Sequence, residues 1–240
     1  MTFNKVLLGD WSSSEIYDSN KVLNKTLTSF HSKAIIFLKY LPIIGLVASI
    51  SENNTINEWN PITWSSIQRY ENHTDLVNDL DQIDNDTLVS GSDDGTIHIW
   101  KISTGETVQK IIVSERVNSV RVLLSGQQIA CGCGINLCIY NYTTGDLVQS
   151  PNGHNNRIVY PIEILNEQFM ASGDSDSKII IWDLATFSIK YNFSGQKQSV
   201  LSIRRLSSNL MASVGDDFTS GQGAIKLWDW LTERDCFCFV

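Results

Sequence analysis

The sequence predicts an all-β fold built from repeated four-stranded antiparallel sheets, and three observations carry that prediction. First, an aromatic residue closes a short β-branched or apolar run at positions 17, 59, 100, 140, 182 and 228, as Tyr17, Trp59, Trp100, Tyr140, Trp182 and Trp228. Trp59 and Trp100 are 41 residues apart, and only the last gap, of 46 residues, is out of step. Second, each interval holds four short runs separated by Asp, Gly, Asn and Ser clusters, the texture of strands joined by turns. Third, runs such as IIFLKYL are apolar at almost every position, so both faces of the sheet must be covered.

The elements follow in order within each period. An alternating run opens it (IIFLKYL, IVYPIEIL, VLSIRRL). A second run follows (TLVSGS, FMASGD, LMASVG), then an Asp/Gly/Asn turn. The third run ends on the aromatic (TINEW, TIHIW, KIIIW, AIKLW), and a fourth completes the sheet (ETVQKIIVS, FSIKYNFSG). No helical period of adequate length competes. The residue after the aromatic is periodic too: Asp18, Asn60, Lys101, Asn141, Asp183 and Asp229. Three of the four histidines, His31, His73 and His154, precede their tryptophan by 27 or 28 residues. The fourth, His98, falls inside a strand run and reads as an exposed strand residue.

An isolated four-stranded sheet is marginal in water, and radial stacking of similar sheets covers both faces while leaving only short edges. A period of 40–45 residues with His early and Trp-Asp late points to a β-propeller. The segments SGSDDGTIHIWK and SGDSDSKIIIWD resemble the central motif of the WD-repeat β-propeller family, and the resemblance extends over almost the whole chain. It implies a hydrogen-bond chain in each complete blade, namely His73, Ser90, Asp94 and Trp100 in one and His154, Ser172, Asp176 and Trp182 in another. Partial sets are expected elsewhere: His31, Ser49 and Trp59 with Asn53 in place of Asp, and Ser213, Asp217 and Trp228 with Gln196 in place of His. The remaining repeat departs furthest, with Ser114 for His, Cys131 for Ser, Tyr140 for Trp and a turn one residue shorter.

Six aromatics imply six blades in a single domain over residues 1–240, bounded near 1–30, 31–72, 73–113, 114–153, 154–195 and 196–240. The first is expected to be incomplete, with room for one strand (NKVLLGDW) before Tyr17. Two readings follow, a six-bladed ring with an imperfect seam and a fragment of a seven-bladed ring, with the second preferred. An open seam exposes an apolar face, so self-association through the first blade is an expectation.

Composition narrows the function. The chain has 240 residues, is 42% hydrophobic and carries a net charge of −8. An acidic chain has no general attraction to nucleic acid or an anionic membrane, so neither partner is expected. The longest basic stretch, IRRL with Arg204 and Arg205, is too short for an RNA-binding stripe. The most apolar stretch, Ala34 to Ile50, is interrupted by Lys39, Pro42 and Gly45 and does not suit a membrane span. Five cysteines, Cys131, Cys133, Cys138, Cys236 and Cys238, are an odd number in a chain this size. They suggest a reducing, intracellular compartment, cytoplasmic or nuclear, and the first three read as small buried residues.

No metal or cofactor site is expected. An EF-hand loop started at Asp174 would place Ile179 at position 6 and Ala185 at position 12, where Gly and Glu are required. No phosphate-binding loop, His-Glu-x-x-His or Gly-x-Ser-x-Gly motif occurs. The reading is therefore a non-catalytic scaffold or adaptor that binds proteins or peptides. A substrate-recognition subunit of a larger complex such as a ubiquitin ligase is the alternative, ahead of a metal-dependent hydrolase or an RNA-binding module. The family resemblance implies that connectors before the first strand line one face, which makes Lys33, Asp75, Arg116, Arg157 and Gln198 the partner-binding candidates.

Overall fold

The computed structural model describes residues 5–9, 14–18, 23–26, 31–124, 126–155, 158–194, 199–215, 224–232 and 234–239. Among them the chain forms no helix and divides into two compact units, Met1–Lys110 and Ile111–Val240.

The first unit holds a three-stranded antiparallel sheet, β1 (Lys5–Gly9), β2 (Ser14–Asp18) and β3 (Leu23–Thr26). Two four-stranded blades follow. The second blade comprises β4 (Ile35–Leu41), β5 (Leu46–Ser51), β6 (Ile56–Trp59) and β7 (Ser66–Tyr70). The third comprises β8 (Val77–Asp84), β9 (Thr87–Ser92), β10 (Thr96–Lys101) and β11 (Thr107–Ile112). The second unit holds three more four-stranded blades. The fourth blade is β12 (Val117–Val122), β13 (Gln128–Cys133), β14 (Asn136–Asn141) and β15 (Leu147–Gln149). The fifth is β16 (Ile158–Ile164), β17 (Phe169–Asp174), β18 (Ile179–Asp183) and β19 (Ile189–Phe193). The sixth is β20 (Val200–Arg205), β21 (Leu210–Gly215), β22 (Ala224–Asp229) and β23 (Arg234–Phe239). Every sheet is a simple antiparallel meander, the topology of a propeller blade.

Two irregularities recur at fixed places. The register slips just inside the first strand of all five four-stranded blades, between Ile35 and Phe37, Val77 and Asp79, Val117 and Ser119, Ile158 and Ile162, and Val200 and Ser202. It slips again at the aromatic of the third strand, before Trp59, Tyr140, Trp182 and Trp228. Such bulges add twist to a strand pair. The three-stranded sheet carries the second irregularity, between Ile16 and Tyr17 in β2. That assigns β1, β2 and β3 to the second, third and fourth strand positions of a blade, the innermost being the one it lacks among the described residues.

The core lies between consecutive blades. Trp100 packs with Leu88 against Ala48, Ile50, Ile56 and Tyr70 of the blade before it. Trp182 does the same against Ala130, Leu137 and Ile139, and Trp228 against Ala171, Ile179 and Ile181. The run IIIW in β18 is apolar throughout because Ile180 and Trp182 face the fourth blade while Ile179 and Ile181 face the sixth.

The residue after each aromatic caps the turn that follows. Asn60, Asn141, Asp183 and Asp229 each accept two backbone N–H groups through Oδ1, from residues two and three positions on. This is an Asx turn, which a side chain without an acceptor cannot make. Lys101 is such a side chain, and in its blade Asp86 takes over, receiving Ser103 N at 2.8 Å and pairing with Lys101 Nζ at 2.7 Å.

The innermost strands carry a further periodicity. Lys39, Asp81, Arg121, Glu163 and Arg204 occupy one register position, each opposite Ala48, Val89, Ala130, Ala171 or Ala212. Their signs alternate along the chain. Lys39 meets Asp81 at 2.8 Å in the first unit, and Arg204 meets Glu163 at 3.3 Å in the second.

Blades approach most closely where a side chain is missing. A Cβ on Gly173 would lie 2.7 Å from Val200 Cγ1 and 2.8 Å from Val200 Cβ, a branched group with nowhere to retreat. Gly173→Ala is therefore expected to lower unfolding stability by about 1–3 kcal/mol, the usual cost of overpacking. Urea denaturation of the variant against the parent chain checks this, and an unchanged midpoint would refute the close contact.

Candidate functional site

The polar side chains that the sequence singles out converge, in the second, third and fifth blades, at the end where the first strand begins. In the third blade Trp100 Nε1 donates to Ser90 Oγ at 2.7 Å, and Ser90 Oγ lies 2.8 Å from His73 Nε2. His73 Nδ1 meets Asp94 Oδ2 at 2.9 Å. One order of protons satisfies all four groups: indole N–H to serine oxygen, serine O–H to Nε2, and Nδ1–H to carboxylate. Asp94 Oδ2 also accepts Thr74 N, and Oδ1 accepts Thr96 N and Oγ1. Burial opposes ionisation of Asp94, but the bonds from His73, Thr96 and Thr74 outweigh it and hold the carboxyl well below its usual range.

The fifth blade is wired differently. Trp182 Nε1 donates to Ser172 Oγ at 2.7 Å, and Ser172 Oγ lies 2.6 Å from His154 Nε2. The carboxylate on His154 Nδ1, at 2.7 Å, belongs to Asp174 and not to Asp176. The turn itself is the same one, with Ser177 (φ 70) at the left-handed position that Gly95 (φ 74) holds in the third blade. Two positions of this turn can reach the histidine. Asp174 stands at the first, where the third blade has Ser92, and also accepts Asp176 N at 2.9 Å and Lys178 N at 3.0 Å. Despite its burial these bonds hold Asp174 below the ordinary carboxylate range.

In the second blade Trp59 Nε1 and His31 Nε2 both meet Ser49 Oγ, at 2.8 and 2.7 Å. A relay replaces the missing carboxylate: His31 Nδ1 lies 3.1 Å from Thr55 Oγ1, which donates to Asn53 Oδ1 at 2.7 Å. Burial pushes the His31 imidazole down to about 4, so it is neutral, as that proton order requires. In the sixth blade Trp228 Nε1 donates to Ser213 Oγ at 2.7 Å, whereas Asp217 and Gln196 lie outside the described residues.

The fourth blade substitutes sulfur. Cys131 stands in the serine position, paired in register with Cys138, and its Sγ is 3.1 Å from Cys133 Sγ. All three thiols are buried. Burial raises Cys131, while hydrogen bonding within the cluster, with burial, raises Cys133 and Cys138, so all three stay protonated. The place that corresponds to His31, His73 and His154, four residues before the first paired residue of the innermost strand, is Val113 and not Ser114. Ser114 is exposed, with φ 68. The reading of His98 as an exposed strand residue is also corrected: it is 2% exposed and lies over His73 with ring centroids 4.3 Å apart. Neighbouring tryptophan and histidine rings cover a position that alternation alone would turn to solvent.

An Asp–His–Ser chain has the outline of a hydrolase triad, but Ser90 and Ser172 are fully buried, and each spends an acceptor site on an indole. A nucleophile must be reachable by a carbonyl group, and these are not. Among the described residues no group of three or more His, Cys, Asp or Glu is arranged to hold a metal ion.

The partner-binding candidates fall on the connectors that lead into the innermost strands. Lys33, Asp75 and Arg116 are exposed, and Arg157 and Gln198 lie outside the described residues. The backbone anchors these connectors, with Ser51 Oγ donating to Lys33 O at 3.1 Å and Ser92 Oγ to Asp75 O at 3.0 Å. The strand registers show that Arg116 is one position beyond the place of Lys33 and Asp75, which in the fourth blade is held by the exposed Glu115. The shorter turn of that repeat hid this in the sequence.

Residues 64–101 match the family model described as "WD domain, G-beta repeat". Over that segment the chain carries a WD repeat. It is similar to the U3 small nucleolar RNA-associated protein 15 homolog of Xenopus laevis, 24% identical over 82% of this chain and 38% of that protein. It also resembles the E3 ubiquitin-protein ligase COP1 of Arabidopsis thaliana, 24% identical over 76% of the chain and 21% of the relative. A third relative is the probable coatomer subunit beta' of Schizosaccharomyces pombe, 26% identical over 55% and 18%. The chain thus spans well under half the length of these relatives. The crystal structure of a computationally designed protein, Ika8, superposes on the whole chain and 72% of its own, with a TM-score of 0.80 at 21% identity, a likeness of fold alone. No helix among the described residues is long and apolar enough to cross a membrane.

The WD-repeat network should read out as stability. Asp174→Asn is expected to lower unfolding stability by about 1–3 kcal/mol, as for a lost partner of a buried group, and Asp176→Asn by much less. The sign with pH follows from the depressed Asp174 carboxyl: its contribution is present above the usual carboxylate range and is lost on acidification. Denaturant titrations of both variants at neutral and acidic pH check this, and equal losses would remove the distinction between the two aspartates.

Proposed function

We propose that this chain is a non-catalytic scaffold or adaptor that binds proteins or peptides through the exposed connectors carrying Lys33, Asp75 and Arg116. The observation that carries the reading is a division of labour among the polar side chains. The histidines, serines and aspartates with chemical potential are buried and bonded to one another, while residues of both signs are exposed on connectors whose backbones are fixed. A rigid frame with exposed connectors suits recognition, and a rim of mixed sign suits protein surfaces better than a polyanion. Arg157 and Gln198 belong to the same proposed set. An intracellular location, cytoplasmic or nuclear, accompanies the reading.

A second reading is a substrate-recognition part of a ubiquitin ligase complex, favoured by similarity to the COP1 ligase over 76% of the chain. The two readings differ in what co-purifies. Proximity labelling with the parent chain, repeated with Lys33→Glu, Asp75→Lys and Arg116→Glu combined, is expected to show a set of proteins lost from the variant while its thermal unfolding is unchanged. Ubiquitin-transfer components in that set would select the second reading. An identical set in parent and variant would remove these residues from the interface.

A further inference from the structure

One buried ionisable group belongs to no network. Glu58 precedes Trp59 in β6, a place held by Ile99, Ile139, Ile181 and Leu227 in the other four-stranded blades. It is fully buried. Neither carboxylate oxygen receives a hydrogen bond in good geometry, and the Tyr70 hydroxyl that faces it is equally unmatched. Lys39, Ala48, Glu58 and Gln68 are register partners in successive strands and share one face of the second blade. Tyr70 also serves the junction with the third blade, where it meets the Trp100 ring edge-on with centroids 5.2 Å apart.

We infer that Glu58 makes the junction between the second and third blades proton-sensitive, closed around Tyr70 and Trp100 when the carboxyl is neutral and loosened when it ionises. A neutral carboxyl in this apolar setting costs little, whereas a carboxylate there has no compensating cation. The charged and titratable groups packed at the junction are engaged elsewhere. Lys39 of β4 is bonded to Asp81 and to Leu80 O, Lys101 of β10 is paired with Asp86, and His73 is paired with Asp94. His98 bonds Thr107 Oγ1, and burial pushes it down to about 4, so it is neutral. Tyr70 is held protonated by its burial and by Glu58 itself. Burial pushes the Glu58 carboxyl up to about 7, with the Tyr70 hydroxyl only partly opposing it, which puts the transition near neutrality.

The direction follows from linkage. Glu58 is raised in the folded chain, so its contribution to stability is whole below the unfolded value and declines as pH rises through the folded one. His31 and His98, both lowered, act the opposite way on acidification. The informative quantity is therefore the difference between parent and variant at each pH. Denaturant titrations of the full chain and of Glu58→Gln, between about pH 5 and pH 8, are expected to show the variant gaining on the parent as pH rises. The gain is on the order of tens of fold in the folded-to-unfolded ratio. Glu58→Leu should show the same trend if the amide is poorly accommodated. Hydrogen exchange of the parent chain, corrected for intrinsic rates, should lose protection over this range in β6, β7 and β10 more than in β17 and β18. A parent–variant difference that stays constant with pH, or protection that falls equally in all these strands, would overturn the inference.

Discussion

The serine hydroxyl on the second strand of four blades is the atom on which the rest depends. In four blades, at Ser49, Ser90, Ser172 and Ser213, its oxygen accepts the indole N–H of the tryptophan on the adjacent strand, two residues past the serine's register partner. Where the histidine is described, its Nε2 meets the same oxygen. A tryptophan carries a large apolar surface with one polar atom, and burying it is favoured when that atom finds an acceptor. The serine supplies that acceptor, and the ring can then pack against the preceding blade, as Trp100, Trp182 and Trp228 do. The histidine ties the same serine to the connector entering the blade. One hydroxyl thereby joins the interblade core to the exposed connectors, so the packing between blades and the placement of those connectors rest on the same atom.

The fourth blade shows what happens when that atom changes. With Cys131 in the central position and Tyr140 for the tryptophan, a thiol cluster fills the space. Thiols are weak donors and acceptors that pack as small apolar groups. The fourth blade therefore holds by packing where its neighbours hold by directed bonds, and the histidine has no role there, in keeping with Val113 at its place.

Much of this architecture was legible because it follows from spacing. The aromatic period located the third strands, and the WD-repeat resemblance, carried over onto His31, His73 and His154 with Ser49, Ser90 and Ser172, implied most of the networks. What spacing could not give was the choice among positions that a single turn brings together. Asp174 and Asp176 both belong to a turn near His154 whose backbone at Ser177 matches that at Gly95, and what differs from the third blade is the acceptor at the first position, Asp174 in place of Ser92. Arg116 and Ser114 were displaced by one position for the opposite reason, since a shortened turn shifts everything that precedes it. His98 was hidden by the His73 and Trp100 rings of its own blade, and Glu58 by a burial that the pattern of one strand does not record. The Thr55 relay was equally silent, because a threonine at the start of a strand is ordinary there.

The alternating charges on the innermost strands have a consequence for how such an array can change in length. Lys39, Asp81, Arg121, Glu163 and Arg204 follow one another with opposite sign, and in both units an acid meets a base across a blade junction. Duplicating any one blade would set two like charges side by side at a level where like charges repel. Duplicating an adjacent pair would preserve the alternation. The sequence thus carries a parity rule within each unit: copies inserted two at a time would keep acid following base along the inner strands, and copies added singly would not. A gene assembled from repeats would inherit that rule as a preference for even steps, written in five side chains.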